Sequence, residues 1–183
     1  MRMFLGIPMP DAVADRLVMV GGGIPGARWV ARENLHLTLR FLGDTEAHQA
    51  EDLIEALHRL PPVSLPIRIA GMGLFGDRRR QQQLYADVEP DPALSHLNQK
   101  IEQIARQAGF EPERRRFHPH VTLARMRNPD KRRLGQFLEA NTSLALPPFQ
   151  TGSITLFRSH LGSGGAMYEP LIEFGTDHVA NAV

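Results

Sequence analysis

The strongest constraint on how this chain can fold is a phrase it carries twice. His36-Leu37-Thr38-Leu39 and, 84 residues later, His120-Val121-Thr122-Leu123 each lie where polar and apolar residues alternate. That period of two marks a strand with one buried face. Residues i and i+2 of a strand point the same way, so each copy sets one imidazole beside one hydroxyl. Leu37, Leu39, Val121 and Leu123 then turn toward a core. Packing accounts for the repeated apolar members and gives no reason to repeat the polar ones.

The segments around the motifs follow from the same patterning. Met3 to Ile7 reads as a strand stopped by Pro8 and Pro10, and a helix follows from about Asp11 as N-cap, with Val13, Leu17 and Val20 on one stripe and Gly21-Gly22-Gly23 ending it. The first motif strand is predicted over 34–42, and Gly43-Asp44-Thr45 leads into a helix over about 46–60 that Pro61-Pro62 stops. Strands are expected at about 65–74 and 82–88, joined by an exposed tip carrying Arg78-Arg79-Arg80. Asp91-Pro92 signals a helix start, with Leu94, Leu97, Ile101, Ile104 and Ala108 as its buried stripe and Gly109 as its stop. The second motif strand runs from His120 to about Met126, then a short helix after Asn128-Pro129-Asp130, closing strands at 154–157 and 167–174, and a loose tail from about 176. The resulting order, β-α-β-α-β-β-α-β-α-β-β, with close strand pairs that need antiparallel pairing, is an α+β pattern.

Composition narrows the functional classes. The 183 residues suit one domain with a sizeable core, and 42% hydrophobic with 22% charged residues describes an ordinary globular chain. With no cysteine, disulfides, thiol nucleophiles and cysteine-held metals are excluded. The N-terminal apolar run is too short for a signal peptide, and no stretch approaches a membrane span, so a cytoplasmic location with no membrane partner is expected. Net charge is only +1, yet Arg78-Arg79-Arg80, Arg114-Arg115-Arg116 and Lys131-Arg132-Arg133 are separate basic clusters. Three such clusters in a small protein favour a polyanionic substrate.

An imidazole gives or takes a proton near neutral pH, and a threonine hydroxyl can hold an anionic oxygen beside it. Two facing pairs, His36 with Thr38 and His120 with Thr122, supply an acid and a base across one phosphorus without a metal or other cofactor. A zinc site built from His118, His120 and His36 is the rival chemistry. Against it, no carboxylate accompanies the histidines, the threonines would be idle, and Pro119 interrupts the strand between His118 and His120. Alternation puts Arg40 on the face of His36 and Thr38, within reach of phosphate, or simply solvated at the strand end.

These motifs, together with Arg2-Met3-Phe4-Leu5-Gly6-Ile7, Phe117-His118-Pro119-His120 and the segment from Ser159-His160-Leu161 to Tyr168, resemble the two-histidine (2H) phosphoesterases, in particular the RNA 2',3'-cyclic phosphodiesterases also known as 2'-5' RNA ligases. The resemblance covers nearly the whole chain. It implies a single bilobal domain over 1–183 in which two antiparallel-rich sheets with outer helices meet at a pseudo-two-fold cleft, motif 1 (36–39) on one wall and motif 2 (120–123) on the other. It implies His36 as proton donor and His120 as acceptor, acting on RNA ends that carry a 2',3'-cyclic phosphate, tRNA-like fragments among them, to leave a 2'-phosphate. No protein partner is implied. Arg125 matches a family position linked to phosphate binding, although strict alternation turns it away from His120 unless a bulge or strand end follows Leu123. Phe4 matches a family aromatic that can stack a base, with core packing as the alternative.

Overall fold

The computed structural model describes residues 1–76, 81–162 and 165–176. The tip arginines 78–80 and the expected tail beyond 176 lie outside the described residues. Among the described residues four α-helices and ten strands follow one another as β1 (Arg2–Pro8), α1 (Asp11–Val20), β2 (Arg28–Trp29), β3 (His36–Asp44), α2 (Ala47–Leu57), β4 (Leu65–Ile67), β5 (Ile69–Phe75), β6 (Gln81–Val88), α3 (Pro92–Gln107), β7 (His120–Arg127), α4 (Lys131–Ala140), β8 (Phe149–Thr151), β9 (Ile154–Gly162) and β10 (Gly165–Phe174). The α+β class is as expected. Two short strands, β2 and β8, escape the sequence pattern because two or three residues carry no period.

Local chemistry sets the helix ends. The Asp91 carboxylate accepts from the backbone N–H of Ala93 and Leu94 to start α3, and Asp130 accepts from the Arg133 N–H to start α4. Helix α1 instead begins at Asp11 itself, behind Pro10, with no side-chain cap. All four helices send apolar residues into one core, among them Leu17, Leu53, Leu57, Leu94, Ile101 and Leu134, where they meet Leu5, Ile7, Leu37, Leu84 and Val121 from the sheet. Each such side chain contributes about 1.5–3 kcal/mol on burial.

The strands run β10-β9-β1-β3-β7-β6-β5, all neighbours antiparallel, with β2 joined to β7 and a separate β4–β8 pair. The two sheets expected from the resemblance are thus continuous. Their junction is slight, since β3 and β7 share the single pair Leu37↔Val121. Both of those side chains are fully buried, so their neighbours in sequence point to the opposite face.

The two motif strands repeat one another in detail. Burial along 36–42 and 120–126 follows the same sequence of half-buried, buried and exposed positions. Each strand also slips register at the leucine that closes its motif. Pairing passes from Gly6↔Thr38 to Leu5↔Arg40, skipping Leu39, and from Tyr85↔Thr122 to Leu84↔Ala124, skipping Leu123. Each slip is a β-bulge, which reverses the in-and-out alternation beyond it. The halves are therefore related by a pseudo-two-fold axis through Leu37 and Val121.

Candidate active site

Across the Leu37↔Val121 pair the antiparallel register sets His36 beside Thr122 and Thr38 beside His120. All four side chains line one open cavity of about 450 Å³ on the sheet face away from the main core. The expected pairs are thus brought together, crosswise.

Both imidazoles are held the same way. His36 Nδ1 lies 2.7 Å from the Asn34 carbonyl, and His120 Nδ1 lies 2.7 Å from the His118 carbonyl. A carbonyl only accepts, so each Nδ1 carries its proton, and each Nε2 is left as the free nitrogen for proton transfer. The two carbonyl-bearing residues are themselves anchored. Asn34 donates to Ala166 O (3.0 Å) and accepts from Tyr168 N (3.2 Å), while His118 Nε2 meets Asp87 Oδ1 at 3.1 Å. Pro119 keeps His118 out of the strand, which begins at His120. Among the described residues no three histidines or carboxylates converge as a metal site.

Aromatic rings wall in each histidine. His36 packs on Phe4 (centroids 4.6 Å), Tyr168 (5.1 Å) and Phe157 (5.9 Å), and His120 on Phe75 (4.9 Å) and Tyr85 (5.3 Å). Burial disfavours the imidazolium. It pushes His36 down to about 4, helped by the like charges of His120 and Arg125 and opposed by the Asn34 carbonyl. His120 is also lowered by burial, with His118 adding to the effect and the His118 carbonyl and Asp87 opposing it. Both shifts favour the neutral imidazole.

Gln83 Nε2 donates to Thr122 Oγ1 at 2.5 Å, so the hydroxyl proton of Thr122 is free for an anionic oxygen. Arg125 is exposed and lines the cavity, because the bulge at Leu123 swings it onto the face of His120. Arg40 borders the cavity as well, but the same bulge in β3 turns its guanidinium toward protein acceptors. The side chain is 7% exposed, and its guanidinium pairs with Glu102 Oε2 at 2.5 Å and donates to the carbonyls of Phe41 and Glu111. The face shared with His36 is taken by Phe41 instead, and Arg40 ties β3 to α3 and to the loop that carries Arg115 and Arg116 into the cavity. Phe4 does face the site but is 2% exposed, stacked on Phe157 at 4.9 Å; in this arrangement it supports His36 and has no free surface for a base.

Asn34, Gln83, Tyr168, Phe41 and Phe75 were not read from the sequence as site residues. Asn34 carried one usable signal, since it stands two residues before His36 as His118 stands before His120.

Known proteins resemble this chain over most of its length. Two curated relatives bear the name RNA 2',3'-cyclic phosphodiesterase: that of Bacillus subtilis, 29% identical over 93% of this chain and 94% of its own, and that of Aquifex aeolicus, 31% identical over 80% of each. The crystal structure of TT0787 of Thermus thermophilus superposes with a TM-score of 0.79 at 25% identity, covering 97% of this chain and all of that one. The family model described as LigT-like phosphoesterase matches twice, over residues 7–85 and again over 87–168, once for each half of the duplicated site. The chain belongs to the LigT-like family of 2H phosphoesterases.

Proposed function

We propose that the protein opens the 2',3'-cyclic phosphate at an RNA 3' end by metal-independent acid–base catalysis, leaving a 2'-phosphate. The observation that carries this is the matched tethering of two imidazoles, each fixed through Nδ1 with Nε2 free, in one cavity with two threonines. In-line attack needs a proton removed from water on one side of phosphorus and one given to the leaving 3'-oxygen on the other, each transfer worth about 10²–10⁴-fold in rate. Following the family resemblance, His120 takes the proton from water and His36 gives one to the 3'-oxygen. Thr38 and Thr122 hold the non-bridging oxygens, and Arg125 offsets their charge. The reverse reaction, with a 5'-hydroxyl in place of water, joins RNA ends through a 2'-5' bond by the same two groups.

The low affinity of His36 for a proton fits this role once substrate is present. An anionic phosphate beside the imidazole favours its charged form, so the acid is loaded as the substrate binds. Arg115 and Arg116 at the cavity rim suit the backbone of an RNA end such as a tRNA fragment.

The test is to incubate the protein with RNA ending in a 2',3'-cyclic phosphate, and with adenosine 2',3'-cyclic phosphate, in excess chelator, and to identify the products by phosphorus NMR. Conversion to the 2'-phosphate, lost in His36→Ala and His120→Ala, is expected. No ring opening, or activity that chelator abolishes and zinc restores, would overturn the assignment.

A further inference from the structure

The two halves of the site repeat one another in register but not in charge. Aligned on the motif histidines, β1 against β3 and β6 against β7 form the same ladder. Gly6↔Thr38 answers Tyr85↔Thr122, Ile7↔Leu37 answers Ala86↔Val121, and Pro8↔His36 answers Asp87↔His120. The residue directly across from each histidine is therefore a proline in one half and a carboxylate in the other. Residues so paired stand on one face, with Cβ atoms about 4.5–5.5 Å apart.

The anchors behind the histidines differ in the same way. Each imidazole is held at Nδ1 by the carbonyl two residues before it. Asn34, which carries the first of these carbonyls, is fixed by neutral bonds to the backbone of β10, at Ala166 and Tyr168. His118, which carries the second, is fixed by Asp87. Its Nε2 lies 3.1 Å from Oδ1, and since a carboxylate only accepts, Nε2 donates. Asp87 thus reaches His120 by two routes, through its charge across the ladder and through the carbonyl of the residue it holds. Phe75 and Tyr85 pack between the two imidazoles, edge-on to His118 at 5.2 and 5.4 Å and to His120 at 4.9 and 5.3 Å.

The other ionisable groups around His120 supply no second free anion among the described residues. His36 faces it from β3, Tyr85 from β6 and His118 from the segment before β7, while Arg125, Arg115 and Arg116 line the same cavity. Glu102 and Glu113 line it too, but both lie against Arg40, at 2.5 and 4.0 Å. Burial lowers both motif histidines, and the charges beside them then differ. His36 feels the like charges of His120 and Arg125, whereas for His120 the Asp87 carboxylate opposes the like charge of His118. Asp87 is not among the residues that line the cavity, so it meets the reaction through His120.

We propose that Asp87 is a positioning residue for His120: through His118 it fixes the carbonyl behind that imidazole, and its charge makes His120, of the two histidines, the one that accepts a proton. As water attacks phosphorus, its oxygen forms the new P–O bond and its proton passes to His120 Nε2. The resulting imidazolium has a carboxylate across the ladder. On the other side the P–O3' bond breaks and the 3'-oxygen takes the proton of His36, whose half has Pro8 where an anion would retain it. The group that must keep a proton is thus set beside a negative charge, and the group that must release one is not. This inference rests on the cyclic phosphodiesterase reading above and gives a physical cause for roles that two near-identical motifs leave open.

Two measurements test it. The first needs no turnover: NMR titration of the His36 and His120 imidazole C–H resonances. Asp87→Asn, which can still accept from His118 but carries no charge, should lower the midpoint of His120 and move that of His36 little. Pro8→Asp, which gives the other half the missing carboxylate, should raise the midpoint of His36. The second is hydrolysis of adenosine 2',3'-cyclic phosphate. Asp87→Asn should lower kcat about tenfold with KM little changed, Asp87→Ala, which also releases His118, should lower it further, and Asp87→Glu should recover most of the loss. An unmoved His120 midpoint in Asp87→Asn would overturn the inference, as would a kcat for Asp87→Ala within about twofold of the unsubstituted protein. Either result leaves the phosphodiesterase reading intact, because the unsubstituted protein would still open the ring.

Discussion

Replacing His36 by Asn should make the fold less sensitive to acid. Burial among Phe4, Phe157 and Tyr168 holds the imidazole down to about 4, whereas in the unfolded chain it titrates near 6.5. The folded pKa is the lower one, so this histidine costs nothing above pH 6.5. As pH falls toward about 4 the unfolded chain takes up the proton first, and native stability declines. At about 1.4 kcal/mol per pKa unit the full loss is roughly 3 kcal/mol, most of it accrued by pH 4.5. Asn is suited to the comparison because its amide can donate to the same Asn34 carbonyl and it does not titrate. Urea unfolding followed by far-UV circular dichroism at pH 7.5 and pH 4.5 reads the difference directly. Between those two pH values the unsubstituted protein should lose about 2–3 kcal/mol more than His36→Asn. Equal losses in the two proteins would refute the claim that burial keeps this imidazole neutral. Inorganic phosphate should shrink the loss in the unsubstituted protein alone, because an anion in the cleft stabilises the imidazolium.

If His36 and His120 act in one step, His36→Ala and His120→Ala should each remove most turnover, and the double variant should lose far less than the product of the single losses, as single-turnover rates would show. Asn34→Ala deletes the two bonds to Ala166 and Tyr168 but keeps the carbonyl that holds His36; denaturant unfolding should report a loss of about 1–3 kcal/mol, with kcat falling more than KM rises. Arg40→Met leaves Glu102 without its partner and should destabilise by roughly 3–5 kcal/mol, while adding Glu102→Met should recover much of that. A raised KM at unchanged stability in Arg40→Met would instead mark Arg40 as a phosphate ligand.

The motif residues were legible because a period of two is local: His36 with Thr38 and His120 with Thr122 share a face whatever the rest of the sheet does. Beyond each motif the reading depends on a bulge, and a bulge is a property of two strands. One slip at Leu123 brings Arg125 onto the cleft face, and the equivalent slip at Leu39 installs Phe41 there and leaves Arg40 at the cavity's edge with its guanidinium bound to Glu102. The same ignorance leaves both arginines unresolved in the sequence. The carbonyls of Asn34 and His118 were invisible for a different reason, since a backbone acceptor is present at every residue and its use depends on where the chain turns. The continuity of the sheet hung on the Leu37↔Val121 pair alone, too little to register in any pattern of residues.

That slender junction gives the cleft an uneven stiffness. Toward Arg125 the seam between the halves is stitched again by backbone, through Arg28↔Arg125, Trp29↔Ala124 and the Val30 N–H to the Leu123 carbonyl. Toward Phe41 it is spanned by side chains, Asn98 reaching the Leu39 carbonyl and Arg40 reaching Glu102. A hinge pinned near Leu37 and Val121 moves its near points little and its far points much. Rotating one half by about 5° shifts atoms one residue from the pin by roughly 0.3 Å and atoms four residues away by roughly 1 Å, at ~3.3 Å per residue. The spacing of the two imidazoles is thereby insulated from motions that widen the cleft at Phe41, and the proton transfers between them keep their geometry while that end opens and closes.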